Sequence, residues 1–298
     1  MNCDLVLLEC GMGGRDDATN VIPSPELVIF SSISLEHMNY LGGSLEKIAS
    51  VKAGIIKEGT HAVTGKQVPE VLKILRKECN AKQVPLTVAK ISDVVMKQSS
   101  LSGQKFLYRG FELELSMIGI CQVENAVTAY EALKVLREKG LKITEQQIRE
   151  GMKHTVWNGR FTCIGTSPYF FVDGAHNPDA ARKLRTSLET YFKNRLLIYI
   201  TGIFADKDYS EIIRIMAPLA NRIFTISTSG RGRALSAEWL ANTIMKINLN
   251  GQICDGLEDA VWKAYEAAEE EDVILAFGSL SFIGELTRIV NTYREKRR

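Results

Sequence analysis

The sequence predicts an α/β protein of two domains carrying parallel, doubly wound sheets, and three observations predict it. The chain has 298 residues, room for roughly two domains with a core each. Short apolar runs closed by a charged residue or a glycine alternate with amphipathic stretches of helical period. A hydrophobic share of 45% against 24% charged residues is that of a folded globular chain and excludes a disordered one. Composition also narrows the partners. The 37 Lys and Arg nearly cancel the 35 Asp and Glu, and a net charge of +2 gives no electrostatic ground for a nucleic-acid or membrane-surface partner. No apolar run approaches the ~18 residues a membrane helix needs, and Met1-Asn2-Cys3-Asp4 does not read as a secretory leader. The cysteines Cys3, Cys10, Cys79, Cys121, Cys163 and Cys254 include no C-x-x-C pair and read as reduced side chains of a cytoplasmic protein.

Taken in order, Asp4–Leu8 is an apolar run expected to be a strand ending at Glu9, and Leu27–Ile33 a second ending before His37. Leu45–Ala53 has helical period behind Ser44 as N-cap, and Val68–Gln83 is a helix entered through Pro69 and left before Pro85. Phe106–Leu115 reads as a hairpin turning near Arg109-Gly110. Asn125–Lys139 is a helix closed by Gly140, and Thr144-x-x-Gln147 is a capping box opening the next one. A boundary follows at Trp157-Asn158-Gly159-Arg160. Beyond it, strands are expected at Tyr169–Val172, Leu196–Ile200, Ile223–Ser227 and Val273–Phe277. Asn177-Pro178 supplies an N-cap and a first-position proline for a helix to about Tyr191. Further helices read over Glu211–Ala217, Ala237–Asn248, Glu258–Glu269 and onward from Phe282. The reading is therefore a first domain over 1–156, a linker at 157–161 and a second domain over 162–298.

Ligands of such sheets sit beyond the carboxyl ends of the strands, which points to four constellations. Glu9-Cys10-Gly11-Met12-Gly13-Gly14-Arg15 puts a carboxylate before three glycines in four positions, so backbone can approach a ligand closely. The glycines alone fit a tight surface turn equally well. Ser34-Leu35-Glu36-His37 adds an imidazole at the next strand end, and a carboxylate and an imidazole converging at one edge suit a divalent cation. Lys52 stands at a helix end, where the helix dipole alone would account for it. Asp173-Gly174-Ala175-His176-Asn177-Pro178 joins a strand to a helix N-terminus. There capping explains Asn177 and Pro178 but neither Asp173 nor His176. Two lures fail. Gly59…Gly65-Lys66 has the wrong spacing for a P-loop and Gln67 in place of Ser or Thr, and Ser44…Lys47 has no companion S-D-N or K-T-G.

Together these segments resemble the folylpolyglutamate and dihydrofolate synthases, the folate branch of the Mur ligase superfamily. The resemblance runs through Leu8–Asn20, Ile33–Met38, Lys52–Lys57, Glu124–Ala129, Trp157–Phe161, Asp173–Pro178, Asp206–Tyr209 and Gly278–Phe282, in family order and over almost the whole chain. It implies a Mur-ligase central ATPase domain followed by a C-terminal Rossmann-like α/β domain. The implied activity is an ATP-dependent ligase that adds L-glutamate to the carboxylate of a folate through an acyl phosphate. By the same resemblance Glu9 and His37 would bind Mg2+, and Lys52 would be carbamylated and help place the γ-phosphate. Arg160, Asp173 and His176 would contact ATP, with His176 and Lys52 serving catalysis, Asn125 would help hold the adenine, and domain closure would complete the site. A monomer is also implied.

The departures count as much. Family members carry a glycine-rich P-loop with a Lys-Ser pair well before the Glu9 motif, whereas here Glu9 lies close to Met1. The first domain is thus expected to be N-terminally truncated, and the chain on its own is expected not to catalyse. Glu36 stands where the family usually has Asp, Asn158 where Pro is usual, and Cys121 where a His commonly precedes Gln122. The alternative function is a non-catalytic remnant serving as a nucleotide-binding or scaffold protein.

Overall fold

β-branched and aromatic runs become strands where a neighbouring run completes the ladder, and the described residues do so in three sheets. The computed structural model describes residues 3–36, 38–228 and 233–297. One unit comprises Met1–Ser99, Gln104–Leu115 and Cys121–His154, the other Ser100–Gly103, Ser116–Ile120 and Thr155–Arg298.

In the first unit, β1 (Leu27–Phe30), β2 (His61–Thr64) and β3 (Leu86–Val88) form a parallel sheet in that order, with Leu27 opposite His61 and Ala62 opposite Leu86. Its helices are α1 (Met38–Leu41), α2 (Leu45–Ala53) and α3 (Pro69–Ala81). Ile48, Ala49 and Ala53 of α2 and Val71, Leu75 and Cys79 of α3 are buried in one cluster with Val28, Phe30 and Ala62. Ser44 caps α2 as expected, its hydroxyl accepting from Lys47 N at 3.4 Å.

A second sheet holds β4 (Val94–Ser100), β5 (Gly103–Tyr108) and β6 (Phe111–Leu115), the last two antiparallel. The expected hairpin turn is there, with Arg109 at φ 49° and Gly110 at φ 82°, the left-handed pair of a two-residue turn matched to strand twist. α4 (Ile120–Glu138) starts five residues before Asn125, and α5 (Glu145–His154) opens on a reciprocated capping box. There Gln147 N donates to Thr144 Oγ1 at 3.1 Å and Thr144 N to Gln147 Oε1 at 2.8 Å. Buried Glu131 of α4 accepts from Tyr108 Oη at 2.6 Å and from Arg109 Nη1 at 2.7 Å, which ties the hairpin to the helix.

The expected strand at Asp4–Leu8 does not form. Leu5, Val6, Leu7 and Leu8 are irregular and exposed, Leu7 at 84%. Apolar character alone does not make a strand; its N–H and C=O groups need a partner, and this run pairs with neither edge of the β1–β3 sheet. Among the described residues the first unit thus holds two small sheets, the parallel one and the one that contains the expected hairpin.

The second unit is a doubly wound sheet. Its strands are β7 (Thr162–Thr166), β8 (Tyr169–Asp173), β9 (Leu197–Thr201), β10 (Arg222–Thr225), β11 (Gly251–Ile253) and β12 (Val273–Phe277), in the order β11-β10-β9-β12-β8-β7. All neighbours pair in parallel except β7, an antiparallel edge strand that the sequence reading lacked. Between them run α6 (Pro178–Tyr191), α7 (Tyr209–Met216), α8 (Ala237–Met245), α9 (Leu257–Ala267) and α10 (Ile283–Arg297). Leu184, Ile212 and Leu240 of α6–α8 join Tyr199 and Leu275 in a core on one face. Val261 and Leu286 of α9 and α10 join Ile198, Ile200 and Ile274 on the other. Strand β9 is buried throughout for that reason, as its unbroken apolar run required.

Candidate functional site

In the second unit the carboxyl ends of β8, β12 and β9 lie side by side. Asp173 is the last residue of β8. Its Oδ2 accepts from Phe161 N at 2.8 Å and its Oδ1 from Ala175 N at 2.7 Å, so one carboxylate joins the 159–161 segment to the loop before α6. Gly174 N adds a bond to Gly159 O at 2.8 Å. Arg160 is held between Gly159 at φ 81° and Phe161 at φ 45°. The ring of Phe161 stacks on Phe171 with centroids 4.9 Å apart, and this packing holds a non-glycine residue in the left-handed region.

Burial pushes the Asp173 carboxyl up to about 6, against the opposing pull of its two N–H bonds and of the nearby Arg160 and His176 charges. His176 Nδ1 lies 2.7 Å from Gly174 O. A carbonyl only accepts, so Nδ1 carries the hydrogen of this bond. Asn177 caps α6, its Oδ1 accepting from Ala180 N at 2.8 Å, and Pro178 takes the first helical position. Arg160, Asp173 and His176 therefore gather at a strand end beside a helix N-terminus, an arrangement suited to an anionic ligand.

In the first unit the glycine-rich loop is laced to the end of α2. Asp17 organises it: Oδ2 accepts from Met12 N at 2.8 Å, and Oδ1 from Thr19 N at 2.9 Å and Thr19 Oγ1 at 2.6 Å. These bonds hold the Asp17 carboxyl down at about 2. Arg15 N donates to Val51 O at 3.0 Å, and Asn20 Nδ2 to Arg15 O at 3.0 Å. Lys57 Nζ donates to Asn20 O at 2.8 Å and to Ile22 O. Gly14 sits so close to α2 that a Cβ there would lie 2.8 Å from Lys52 O, and a Cβ at Gly54 would run into Arg15. Loop and helix end thus meet backbone to backbone beneath Lys52, which is half-buried in the last turn of α2.

The other expected residues are less gathered. Glu9 is exposed on the irregular stretch and ends no strand, so the convergence expected of neighbouring strand ends is not formed on its side. His37 lies outside the described residues. Asn125 is exposed on α4, donating to Gln122 Oε1 at 3.2 Å. Among the described residues no three His, Cys, Asp or Glu side chains converge as a metal site. The reading of the sequence gave no role to Asp17, Asn20 or Lys57. Asp17-x-Thr19 carried a local capping signal, while Asn20 and Lys57 act on carbonyls far away in sequence and carried none.

The Mur ligase middle domain model matches residues 1–133, and the Mur ligase glutamate ligase domain model matches 159–280. A Bacillus subtilis dihydrofolate synthase/folylpolyglutamate synthase is 29% identical over 292 residues, covering 96% of this chain and 67% of that protein. The Mycobacterium tuberculosis folylpolyglutamate synthase complexed with ADP and AMPPCP superposes with a TM-score of 0.81 at 27% identity, over 95% of this chain and 67% of that one. Escherichia coli FolC in complex with DHPP and ADP gives 0.80 at 27% identity, over 97% of this chain and 66% of that one. The chain thus spans about two thirds of the length of each. Among the described residues no helix is long and apolar enough to cross a membrane. Two Mur ligase domain models in succession, relatives of one kind along nearly the whole chain and a shared fold place this chain in the folylpolyglutamate synthase/dihydrofolate synthase family of Mur ligases.

Proposed function

We propose that this chain supplies the middle and glutamate-ligase domains of an enzyme joining L-glutamate to the carboxylate of a folate at the expense of ATP. The γ-phosphoryl group passes to the folate carboxylate, giving an acyl phosphate and ADP. The amine of glutamate then attacks the acyl carbon, a proton is lost from nitrogen, and phosphate departs as the amide forms. Bringing several anionic oxygens together leaves the protein mainly positioning and charge compensation to do. In the second unit Arg160 and the α6 N-terminus would face the nucleotide phosphates, Asp173 would keep the 159–161 segment and the His176 loop in one arrangement, and His176 would contact the nucleotide. In the first unit Lys52, carbamylated, would turn a cation into an anion near the γ-phosphate, and Asn125 would lie at the adenine. Glu9 and His37 are the proposed Mg2+ ligands. The described donors do not converge, and no step is derived through the metal.

The observation that supports this reading most is the Arg160–Asp173–His176 cluster at the carboxyl end of β8, on the domain matched by the glutamate ligase model. The test is ADP binding by calorimetry, followed by an assay of ligation of labelled glutamate to a reduced folate. His176→Ala should abolish ligation with folding intact, and Lys52→Ala should cut turnover far more than ADP affinity. Unchanged kinetics in either variant removes that residue's role. ADP binding without ligation supports the non-catalytic alternative.

A further inference from the structure

The two edges of the second unit's sheet are built differently. At β7 a bulge between Cys163 and Gly165 shifts the register, and Arg294 Nη1 of α10 donates to Ile164 O at 2.7 Å, so that edge is irregular and occupied. At the other edge β11 pairs with β10 without a shift, and among the described residues no strand lies on its far side. Ile223 N donates to Asn250 O and Cys254 N to Thr225 O, each at 3.0 Å. Alternate residues of a parallel strand face the same neighbour. Asn250, Gln252 and Cys254 therefore turn to β10, while Gly251 and Ile253 turn their N–H and C=O groups outward. One of these groups is loosely covered: Lys263 Nζ, bound to Asp259 at 2.7 Å, lies 3.4 Å from Ile253 O, whose second lone pair stays open.

The outward edge is also apolar. Ile253 is 49% exposed, and in the segment leading into β11 Leu249 is 87% exposed and Met245 and Ile247 are exposed as well. Single apolar side chains on a surface need no explanation, but a group of them beside open peptide groups is what edge strands ordinarily guard against.

We propose that β11 is the seam of a homodimer in which two copies join their sheets edge to edge about a twofold axis, in contrast to the monomer that the family resemblance implies. The register follows from the strand itself. Antiparallel pairing centred on Gln252 sets Gly251 against Ile253 of the second copy, where the outward groups exchange both N–H···O=C bonds, and the axis repeats the pair. Ile253 then meets a glycine across the seam, so no two bulky side chains collide. The two Gln252 side chains meet on the opposite face of the sheet and can bond amide to amide. Charge agrees with that direction. α8 runs back against the strands, which leaves exposed Lys246 near the amino end of β11, while exposed Asp255 follows its carboxyl end. Antiparallel pairing brings each beside its opposite in the second copy, whereas parallel pairing would set like charges together. The four apolar side chains expose on the order of 400 Å² per copy, and two such edges with their backbone reach the ~1,000 Å² of a small specific interface. A dimer of micromolar affinity is expected.

Sedimentation equilibrium of the full chain in reducing buffer, from about 1 to 100 µM, reads the association. The mass should rise from one protomer to two across that range. Ile253→Lys should move the midpoint roughly tenfold or more upward, since lysine is a guard that natural edges use, and circular dichroism checks that the variant folds. Gln252→Cys tests the register. Facing Cα atoms of a non-hydrogen-bonded antiparallel pair stand about 4.5 Å apart, within disulfide reach. Diamide, which takes up the two hydrogens as two thiols become one disulfide, should convert this variant to a covalent dimer far beyond wild type, where exposed Cys3 and Cys163 set the background. A wild type that stays monomeric at about 100 µM overturns the proposal. So does a dimer that Ile253→Lys leaves intact, or one that Gln252→Cys fails to trap. Should Ile253→Lys unfold, the trapping result decides alone.

Discussion

Asp17 in the first unit and Asp173 in the second each accept two backbone N–H bonds of 2.7–2.9 Å, yet one is held at about 2 and the other pushed up to about 6. Asp17 also accepts from Thr19 Oγ1 at 2.6 Å, and the other difference is solvation. Asp17 sits on a surface loop whose water still stabilises the charge. Asp173 ends a strand buried on both faces, where the loss of water outweighs the two bonds and two nearby cations. The same contrast runs through both units. The first arranges its glycine-rich loop with hydrogen bonds around an exposed turn, while the second arranges its loops by packing.

The largest expected effect lies at Gly278 of the second unit, which has φ 118°; a Cβ there would lie 2.5 Å from Gly202 O. Gly278→Ala combines left-handed strain with a backbone clash and should cost roughly 3 kcal/mol or more in urea unfolding. A loss below about 1 kcal/mol would mean that the loops yield more than a packed edge should. In the first unit, Glu131→Ala strips the partner from Tyr108 Oη and Arg109 Nη1 around a buried position, with an expected cost of about 2–4 kcal/mol. Two separate unfolding transitions, each moved by only one of these variants, would show that the units unfold independently.

The two aspartates should move stability in opposite directions with pH. Asp17 is depressed in the folded chain, so its contribution is present above about 3.8 and is lost as pH falls toward about 2. Asp173 is raised, so the folded state binds its proton more readily; stability is lowest above about 6 and is gained as pH falls from there toward about 3.8. Carboxyl carbon titration by NMR reads both directly, and Asp17→Asn or Asp173→Asn should erase one slope and leave the other. The smallest effects are at the caps. Asn177→Ala removes a bond of 2.8 Å and should cost about 1 kcal/mol, and Ser44→Ala, with 3.4 Å, roughly half as much. Equal losses would show that cap geometry does not decide these values.

Elements that carry their own local chemistry were legible in the sequence. Ser44 before α2, the Arg109-Gly110 turn, the Thr144 and Gln147 pair and Asn177-Pro178 each satisfy backbone groups within four residues. β2, β3 and β11 were not, being three or four residues long and strands only because a neighbour completes the ladder. The Asp4–Leu8 expectation failed from the opposite side, with the right residues and no partner. At the site, Arg160, Asp173 and His176 stood out because a strand end next to a capped helix is a local pattern. The clamp by Lys57 joins positions 35 to 37 residues apart through carbonyl oxygens, which any residue type supplies, and nothing in the sequence marks it.

The contact of Gly278 with Gly202 also bears on how this protein can change over generations. A side chain at Gly278 would meet the backbone of Gly202 and needs that loop to withdraw, so a single substitution there meets a barrier that a paired change could cross. Loops at the β9 and β12 ends should therefore be inherited, grafted or recombined as a pair. Independent drift is left to places such as Gly256 before α9, where an added Cβ would meet nothing within 4 Å.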